Sequence, residues 1–385
     1  MPQPLSVQTL WQLDRLGAPA LSPDGQRAVC TVTRHEPAAH RSSTSLWLFH
    51  THGRQAPRRL TSAPGRHGQP AWSPRGDRIA FISQREQDGQ QDQRPQLYLI
   101  APDGGEALRA SDFAPGIEAF RWMPDGRSVL FSAWVWPQLR GAAAQARRWK
   151  AQAARKETGY VTSEAQYRHW DHHHPAGRVL HLHRLDLASG RVSDLFEGTE
   201  FELPRDDSSP EPFDASPDGH RVAFSFDPGV QKVSGNRCAL AEMDLRTRRV
   251  RRLADDADWH FELPRYAPDG HRLAMLASNT GRLHTLPARP ALVQWPAGKP
   301  GPVSWRALGG HWDHEAGSAP RWQADGKALF ITAEREGRCP LWRCSLDEPQ
   351  GRFEVHTPGG WVQGFDVGGP PGAEVVLTLA DAHTH

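Results

Sequence analysis

Short runs in which apolar and polar residues alternate recur along the chain, and each run directly follows a turn that ends in glycine. The intervals between the six glycines are 51, 50, 93, 51 and 56 residues. These glycines are Gly25, Gly76, Gly126, Gly219, Gly270 and Gly326, and all but Gly76 follow an aspartate. An Asp-Gly pair between alternating runs is typical of a tight β-hairpin, because both central residues of the turn can take positive φ. The pattern therefore predicts antiparallel hairpins at a near-constant period.

The residues around the turns repeat as well. An aromatic residue precedes the turn in several copies, as at Trp72, Trp122, Tyr266 and Trp322. Further alternating strands close each unit, for example at residues 96–100. About fifty residues that hold four short strands are typical of one blade of a β-propeller.

The repeats predict an all-β fold, a β-propeller of about seven blades, each a four-stranded antiparallel sheet. Residues 1–16 would form a lead-in segment and residues 17–385 the propeller. The predicted repeats are 17–63, 66–112, 116–196, 209–256, 260–308 and 316–360, with a partial one at 361–385. Because the last blade would be incomplete, we expect an open strand edge through which the chain self-associates.

The third repeat is longer than the others, and residues 137–175 are predicted to be an insertion in its blade. Residues 137–160 are rich in alanine, and apolar residues recur there at helical spacing. This helix is expected to follow Pro137 and to end at Gly159. A helix between two strands of one blade must leave the sheet, and we expect it to lie over one face of the propeller.

The composition narrows the class of protein. The 385 residues include 35 Gly and 33 Pro, too many for a helical bundle, and 15 Trp and 14 Phe, too many for a disordered chain. Lys and Arg number 46 against 44 Asp and Glu, and this balance argues against a nucleic-acid partner. No run approaches 18 apolar residues, so no membrane span is expected.

The N-terminus and the cysteines predict a cytoplasmic location. The first 16 residues show no basic segment followed by an apolar run, so no secretory signal is expected. Four cysteines across 385 residues form no disulfide framework, and their spacing fits no zinc pattern. They are Cys30, Cys238, Cys339 and Cys344.

Two histidine-rich stretches, residues 169–174 and 311–314, have the composition of metal-binding clusters, since His and Asp bind zinc where three or four of them converge. Adjacent residues on a strand point to opposite faces, however, so a consecutive run rarely converges. We therefore interpret both stretches as structural corners, in which Trp packs between blades and Asp accepts backbone N–H groups. No metal and no other cofactor is expected.

Four stretches carry a resemblance to a known family, namely residues 17–25, 167–171, 264–270 and 321–326. Over nearly its whole length the chain resembles the N-terminal propeller of the prolyl oligopeptidase family of serine peptidases, in particular the acylaminoacyl-peptidase and dipeptidyl-aminopeptidase branch. In that family a C-terminal α/β-hydrolase domain carries a Ser–Asp–His triad, and the propeller covers the active site and selects substrates by size. The resemblance thus implies two partners, a hydrolase domain and a peptide substrate.

The catalytic residues of the family have no counterpart in this sequence. A nucleophile elbow needs Gly-x-Ser-x-Gly on a strand-to-helix turn, and the 385 residues contain none. The expected function is therefore substrate gating for a serine peptidase that cleaves short peptides, of aminopeptidase or acylaminoacyl-peptidase type, with no catalysis in this chain. The alternative is a stand-alone propeller that acts as a protein-binding scaffold, like the periplasmic propeller of the Tol system.

Two carboxylates, Glu157 and Glu164, lie at and beyond the end of the predicted helix. In dipeptidyl-aminopeptidase relatives, carboxylates on an inserted propeller segment hold the free N-terminal amine of the substrate. The resemblance implies these two as substrate-binding residues, because a buried ammonium needs an opposing carboxylate. The alternative is a solvated helix end, and the chain has no adjacent Glu-Glu pair. Whether the substrate's N-terminus is free or blocked stays open.

Overall fold

Antiparallel β-strands make up nearly all of the structure, which is a computed structural model of the chain. The residues that it describes are 6–62, 66–87, 89–157, 159, 161–163, 167–207, 209–229, 237–295, 303–357, 360–372 and 374–381. Two α-helices occur among these residues, α1 (Val7–Gln12) and α2 (Gly141–Ala153), with one 3-10 helix at Pro37–Ala39. No helix in this part of the chain is long and apolar enough to cross a membrane. The predicted all-β class is confirmed.

The chain forms two compact units. The first unit contains the described residues up to Asp112 and those from Val362 onwards, and the second unit contains those of Phe113–Trp361. Six sheets of four or five strands are present in the described residues, whereas about seven blades were predicted.

The first unit holds two of the six sheets. The first sheet consists of β1 (Arg15–Leu16), β2 (Ala20–Leu21), β3 (Arg27–Glu36), β4 (Arg41–His50) and β5 (Arg58–Arg59). The second sheet consists of β6 (Arg66–Trp72), β7 (Ile79–Gln84), β10 (Gln96–Ile100) and β11 (Leu108–Arg109), with the small hairpin β8 (Glu86–Gln87) and β9 (Gln90–Gln91) between β7 and β10. Their shared core buries Val29, Leu46, Ile79, Phe81 and Tyr98.

A further strand pair belongs with this unit. Strands β30 (Trp361–Gly368) and β31 (Val375–Asp381) form a two-stranded sheet. The Asp366 carboxylate accepts a 2.8 Å hydrogen bond from the backbone N–H of Leu21, which ties β30 to β2. Self-association through an open edge stays a prediction.

The second unit holds the other four sheets. The third sheet consists of β12 (Ala119–Trp122), β13 (Ser128–Val135), β16 (Val179–Asp186) and β17 (Val192–Asp194). The fourth consists of β18 (Phe213–Ala215), β19 (Arg221–Phe226), β20 (Ala239–Asp244) and β21 (Val250–Ala254). The fifth consists of β22 (Trp259–Tyr266), β23 (Arg272–Asn279), β24 (Arg289–Gln294) and β25 (Ser304–Ala307), and the sixth of β26 (Arg321–Trp322), β27 (Ala328–Thr332), β28 (Leu341–Ser345) and β29 (Arg352–Val355).

Helix α2 lies between two neighbouring strands of the third sheet. Strands β13 and β16 pair along their whole length, from Ser128 opposite Asp186 to Val135 opposite Val179. The chain between them contains α2 and the small hairpin of β14 (Arg168–His169) and β15 (His172–His173). The long segment therefore leaves the third sheet and returns to it without disturbing the strand register.

The repeated turn joins β2 to β3 in the first sheet and the first two strands in each of the other five sheets, through the same backbone hydrogen bonds. In the fourth sheet the N–H of Ser216 donates to the carbonyl of Arg221 at 2.9 Å, and the N–H of Arg221 donates to the Ser216 hydroxyl at 2.9 Å. The N–H of Gly219 donates to the Ser216 carbonyl at 2.8 Å, and Gly219 has a φ of 71°. The repeat in the sequence is thus a repeat of one hairpin geometry.

We predict that Ser216→Ala lowers the free energy of unfolding by about 1–2 kcal/mol, because it removes the buried hydroxyl that accepts the partly buried Arg221 N–H. The fold should survive, since the fifth copy of the turn has Ala267 at this place and still closes with a 2.9 Å bond from Gly270 N–H. Denaturant unfolding measures the change. Ser42→Ala on exposed β4 is the control, with an effect within about 0.5 kcal/mol, and an equally small effect of Ser216→Ala would contradict the prediction.

Candidate functional site

Helix α2 is attached to the third sheet by one buried glutamine. The Gln145 side chain is 4 % exposed and makes two hydrogen bonds to the backbone of Trp136, which follows β13. The Trp136 N–H donates to Gln145 Oε1 at 3.1 Å, and Gln145 Nε2 donates to the Trp136 carbonyl at 2.9 Å. The Arg178 guanidinium lies over the rings of Trp136 and Trp149, 5.3 and 5.2 Å from their centroids. These contacts fix the helix against its own blade.

The helix is shorter than the sequence predicted. It begins at Gly141 and ends at Ala153, inside the expected range of 137–160. Gly141 has a φ of 72°, a conformation that glycine adopts without strain, and its N–H donates to Glu197 Oε2 at 2.7 Å. A carboxylate at a helix N-terminus is stabilised by the unpaired N–H groups and the helix dipole. Glu197 therefore holds the start of α2 against the segment that follows β17.

A cavity of about 230 Å³ lies between the start of α2 and the outer strands of the third sheet. Carboxylate, imidazole, amide and aromatic groups all face it. Its lining residues are Phe113, Gly141, Ala142, Gln145, His183, Val192, Ser193, Asp194 and Glu197. Because polar groups and an aromatic ring meet there in an open cavity, it is the candidate functional site of the second unit.

Two histidines on β16 and one aspartate on β17 form a buried network, and two of the three, His183 and Asp194, line the cavity. His181 Nδ1 donates to Asp194 Oδ2 at 2.8 Å, and the Phe196 N–H donates to Asp194 Oδ1 at 2.8 Å. His183 Nδ1 donates to the carbonyl of His181 at 3.1 Å. The His183 ring stacks on Phe131 with centroids 4.9 Å apart. The network gives most of these buried polar groups a partner and fixes the orientation of the Asp194 carboxylate.

The pKa values of Asp194 and His183 are both lowered in this network. Burial raises the pKa of Asp194, but His183, His181 and the Phe196 N–H outweigh it and lower that pKa to about 2. Burial lowers the pKa of His183 to about 4, and the attraction of Asp194 opposes this only in part. At neutral pH the cavity therefore presents an ionised carboxylate beside a neutral imidazole.

The guanidinium group of Arg248 lies next to this network. The Arg248 guanidinium lies 3.5 Å from the carbonyl of Asp194. Burial lowers the pKa of Arg248, while the charges of Asp194 and Glu197 raise it. The acidic groups of the cavity are thus partly balanced by a neighbouring arginine.

Of the two predicted substrate-binding residues, Glu157 lies in the described part of the chain, and it does not line this cavity. Glu157 is exposed and lies 3.4 Å from the Arg155 guanidinium. A hydrogen bond from its own backbone N–H, together with Arg155, lowers the pKa of Glu157. Glu164 lies outside the described residues. A substrate-binding role for the pair stays a prediction.

The two histidine-rich stretches are placed in different surroundings. In the first stretch His169 and His172 face each other across the β14–β15 hairpin, and the His172 and Asp171 side chains are highly exposed. In the second stretch Trp312 stacks on Phe353 with ring centroids 4.3 Å apart. Within the described ranges, no three His, Cys, Asp or Glu side chains converge as a metal ion would require.

The spacing of two histidines on one strand is a feature of the sequence that indicates the polar network of the cavity. His181 and His183 are two residues apart on a predicted strand, so they lie on the same face of the sheet. Two polar residues on the buried face of a strand between leucines indicate a buried polar network. No local pattern in the sequence indicates the roles of Asp194 and Glu197. Their partners, His181 and Gly141, lie 13 and 56 residues away along the chain.

We predict that acid weakens the fold through His183. The unfolded histidine binds a proton below a pH of about 6.5 and the folded one only below about 4, so stability is full above pH 6.5 and falls as the pH drops towards 4. Protonation of this single group should lower the free energy of unfolding by about 2 kcal/mol between pH 7 and pH 5. His183→Phe keeps an aromatic ring against Phe131 and should remove that part of the pH dependence.

Denaturant unfolding at the two pH values measures the effect. His220→Gln, at an exposed position of a turn, is the control and should behave like the unmodified chain. An equal loss of stability in His183→Phe and in the unmodified chain would show that His183 is not the responsible group.

Comparison with known proteins relates the chain to peptidases. It is 24% identical to dipeptidyl-peptidase 5 of Porphyromonas gingivalis over 361 residues. This alignment covers 89% of this chain and 48% of that protein. The chain spans less than half the length of the curated relatives it matches. No model of a known protein family matches the sequence.

Solved structures show the fold. The acylaminoacyl peptidase of Pyrococcus horikoshii superimposes with a TM-score of 0.66 at 13% identity, over 96% of this chain and 50% of that one. The β-propeller domain of the Trilobed protease from Pyrococcus furiosus superimposes with a TM-score of 0.59 at 13% identity, over 97% of this chain and 99% of that one. The chain is a β-propeller, as the repeats predicted.

These comparisons confirm the resemblance that the sequence motifs carried. The sequence relative that covers most of the chain is a dipeptidyl-peptidase, and the acylaminoacyl peptidase structure is matched over about half its length. The stand-alone scaffold is not favoured, because that extended sequence relative is a peptidase. The comparisons support a propeller associated with a peptidase.

Proposed function

We propose that this chain is the substrate-gating propeller of a serine peptidase that cleaves short peptides, and that it performs no catalysis itself. The match to a dipeptidyl-peptidase along 361 residues carries the proposal. The catalytic partner would be an α/β-hydrolase domain, and the ligand of the propeller a peptide. The four cysteines are buried and unbonded, which supports a reducing compartment such as the cytoplasm.

The gate would be built by the inserted segment of the third sheet. Helix α2 is held to its blade by Gln145 and Glu197, so it can present a fixed surface to an incoming peptide. We further propose that β30 and β31 are two strands of a seventh blade. The hydrogen bond from Leu21 to Asp366 supports this, because it joins the pair to the first sheet.

The cavity beside α2 would hold the free N-terminal ammonium of the peptide. Two carboxylates line it, and the low pKa of Asp194 keeps one of them ionised throughout the neutral range. The Phe113 ring offers a face on which a cation is attracted by the π-electrons. Glu197 and Asp194 would thus take the role that the sequence assigned to Glu157 and Glu164.

We predict that the chain alone hydrolyses neither aminoacyl nor acylaminoacyl chromogenic substrates. The physical reason is that its 385 residues contain no Gly-x-Ser-x-Gly turn to expose a nucleophilic serine. Product release is followed by absorbance against a buffer blank. Turnover that copurifies with the chain and is stopped by a serine-directed inhibitor would contradict the non-catalytic role.

We predict that Ala-Ala-amide binds the chain at least about tenfold more tightly than its N-acetylated form, because acetylation removes the charge that faces the carboxylates. Isothermal titration calorimetry measures both affinities. Glu197→Gln should abolish the preference while its amide oxygen still accepts the Gly141 N–H. Glu157→Gln is the matched control and should keep the preference.

The two variants also separate the two candidate sites. A preference that is lost in Glu157→Gln and kept in Glu197→Gln would place the ammonium at the end of α2, as the sequence suggested. Equal binding of the free and acetylated peptides to the unmodified chain would rule out an amine site.

A further inference from the structure

Four charged residues occupy the same position in four successive repeats. Each lies three residues before the proline of its turn, or before Ala324 in the sixth copy. Each also lies on the first strand of its sheet, which is an edge strand in the third to sixth sheets. The four residues are Arg121, Asp214, Arg265 and Arg321.

The three arginines converge on a single carboxylate, that of Glu211. Arg121 and Arg321 place a guanidinium nitrogen 3.4 and 3.5 Å from Glu211 Oε1. Arg265 contacts Glu211 Oε2 and also donates to the Glu211 carbonyl at 2.9 Å. Arg121 Nε donates to the carbonyl of Pro210 at 2.7 Å. Three blades thus contribute one cation each to the same small volume.

Like charges lie close together in this cluster. Burial, and then repulsion by Arg121 and Arg321, lower the pKa of Arg265 well below its usual range. Asp214 is the second acid nearby, and it accepts a 2.8 Å hydrogen bond from the Tyr266 N–H. Burial raises the pKa of Asp214, although Arg121 and Arg321 oppose this.

One further acid acts on the cluster from its edge. The charge of Asp207 raises the pKa of Arg265, but the Asp207 carboxylate accepts the Ser209 N–H at 2.8 Å. Glu211 is the carboxylate that all three guanidinium groups contact.

The cluster is buried on one side and open on the other. The Arg265 side chain is 5 % exposed, whereas those of Arg121 and Arg321 are 18 % and 30 % exposed. The Glu211 side chain is 25 % exposed. An anion from solvent can therefore reach Arg121 and Arg321, with Arg265 fixed behind them.

We propose that Arg121 and Arg321, supported by Arg265, bind the free C-terminal carboxylate of a short peptide. The guanidinium fork matches the two oxygens of a carboxylate, and Glu211 shows that such a group fits between the three arginines. The assignment rests on the proposed function, since a peptidase-associated propeller meets peptides and every unmodified peptide ends in one carboxylate. A C-terminus bound there would favour short substrates, because their ends lie close to the bond that is cut.

The test compares N-acetyl-Ala-Ala with its C-terminal amide on the 385-residue chain, by isothermal titration calorimetry. Both peptides lack a free amine, so the proposed ammonium site does not contribute. The acid should bind about ten- to a hundredfold more tightly than the amide. The double variant Arg121→Gln with Arg321→Gln should lose this preference, while Arg282→Gln, at an exposed position, should keep it.

A third variant distinguishes a binding role from a structural one. Glu211→Gln removes the internal carboxylate that competes for the arginines, so it should raise the affinity for the acid peptide several-fold. A structural role alone predicts no gain. Circular dichroism and the melting midpoint confirm that each variant is folded, and the comparison of acid and amide on the unmodified chain needs no variant.

Each remaining outcome has a defined meaning. Equal affinity for acid and amide overturns the inference, and so does inorganic phosphate binding as tightly as the acid peptide. If Ala-Ala-amide binds through its amine while N-acetyl-Ala-Ala does not bind, the inference fails and the proposed function stands. If no peptide binds, both fail.

Discussion

The positive φ of one glycine in each repeated turn is the constraint on which the sheets depend. Gly25, Gly76, Gly126, Gly219, Gly270 and Gly326 have φ values between 61° and 71°. A side chain at such a position would be strained, whereas glycine adopts the conformation freely. In each turn the residue three before the glycine makes two backbone hydrogen bonds. At Ser216 its N–H donates to the Arg221 carbonyl across the hairpin, and its carbonyl accepts the Gly219 N–H. The register of the two strands that each turn joins follows from these bonds.

A fixed register at the turn also determines which side chains meet elsewhere. Arg121, Arg265 and Arg321 occupy equivalent places, because each lies on the first strand of its sheet, three residues before the proline of the turn or before Ala324. Equivalent places in neighbouring repeats allow three arginines to reach Glu211. The same hairpin that specifies the strands therefore positions a charged cluster that no single repeat could form.

The sequence predicted the local features well and the convergent ones poorly. The turns, the sheets and the helix in the third repeat follow from glycine, alternation and alanine spacing, which act over a few residues. The helix ends at Ala153 and not near Gly159, and Gln145, which holds it to the segment after β13, lies in its first half. Asp194 and Glu197 were missed because their roles depend on contacts with β16 and α2. The contacts of Arg265 and Arg321 with Glu211 join residues 54 and 110 positions apart, a separation that periodicity does not encode.

The net charge of the chain is only +2, but acidic and basic side chains are grouped at different places in the second unit. Asp194 and Glu197 make the cavity beside α2 acidic, while Arg121, Arg265 and Arg321 make the first-strand cluster basic. A free short peptide is a zwitterion, with an ammonium at one end and a carboxylate at the other, so it carries both complementary charges. The balanced charge total argues against a nucleic-acid partner, but it does not show where each sign is placed, and the proposed binding of a zwitterion would depend on that placement.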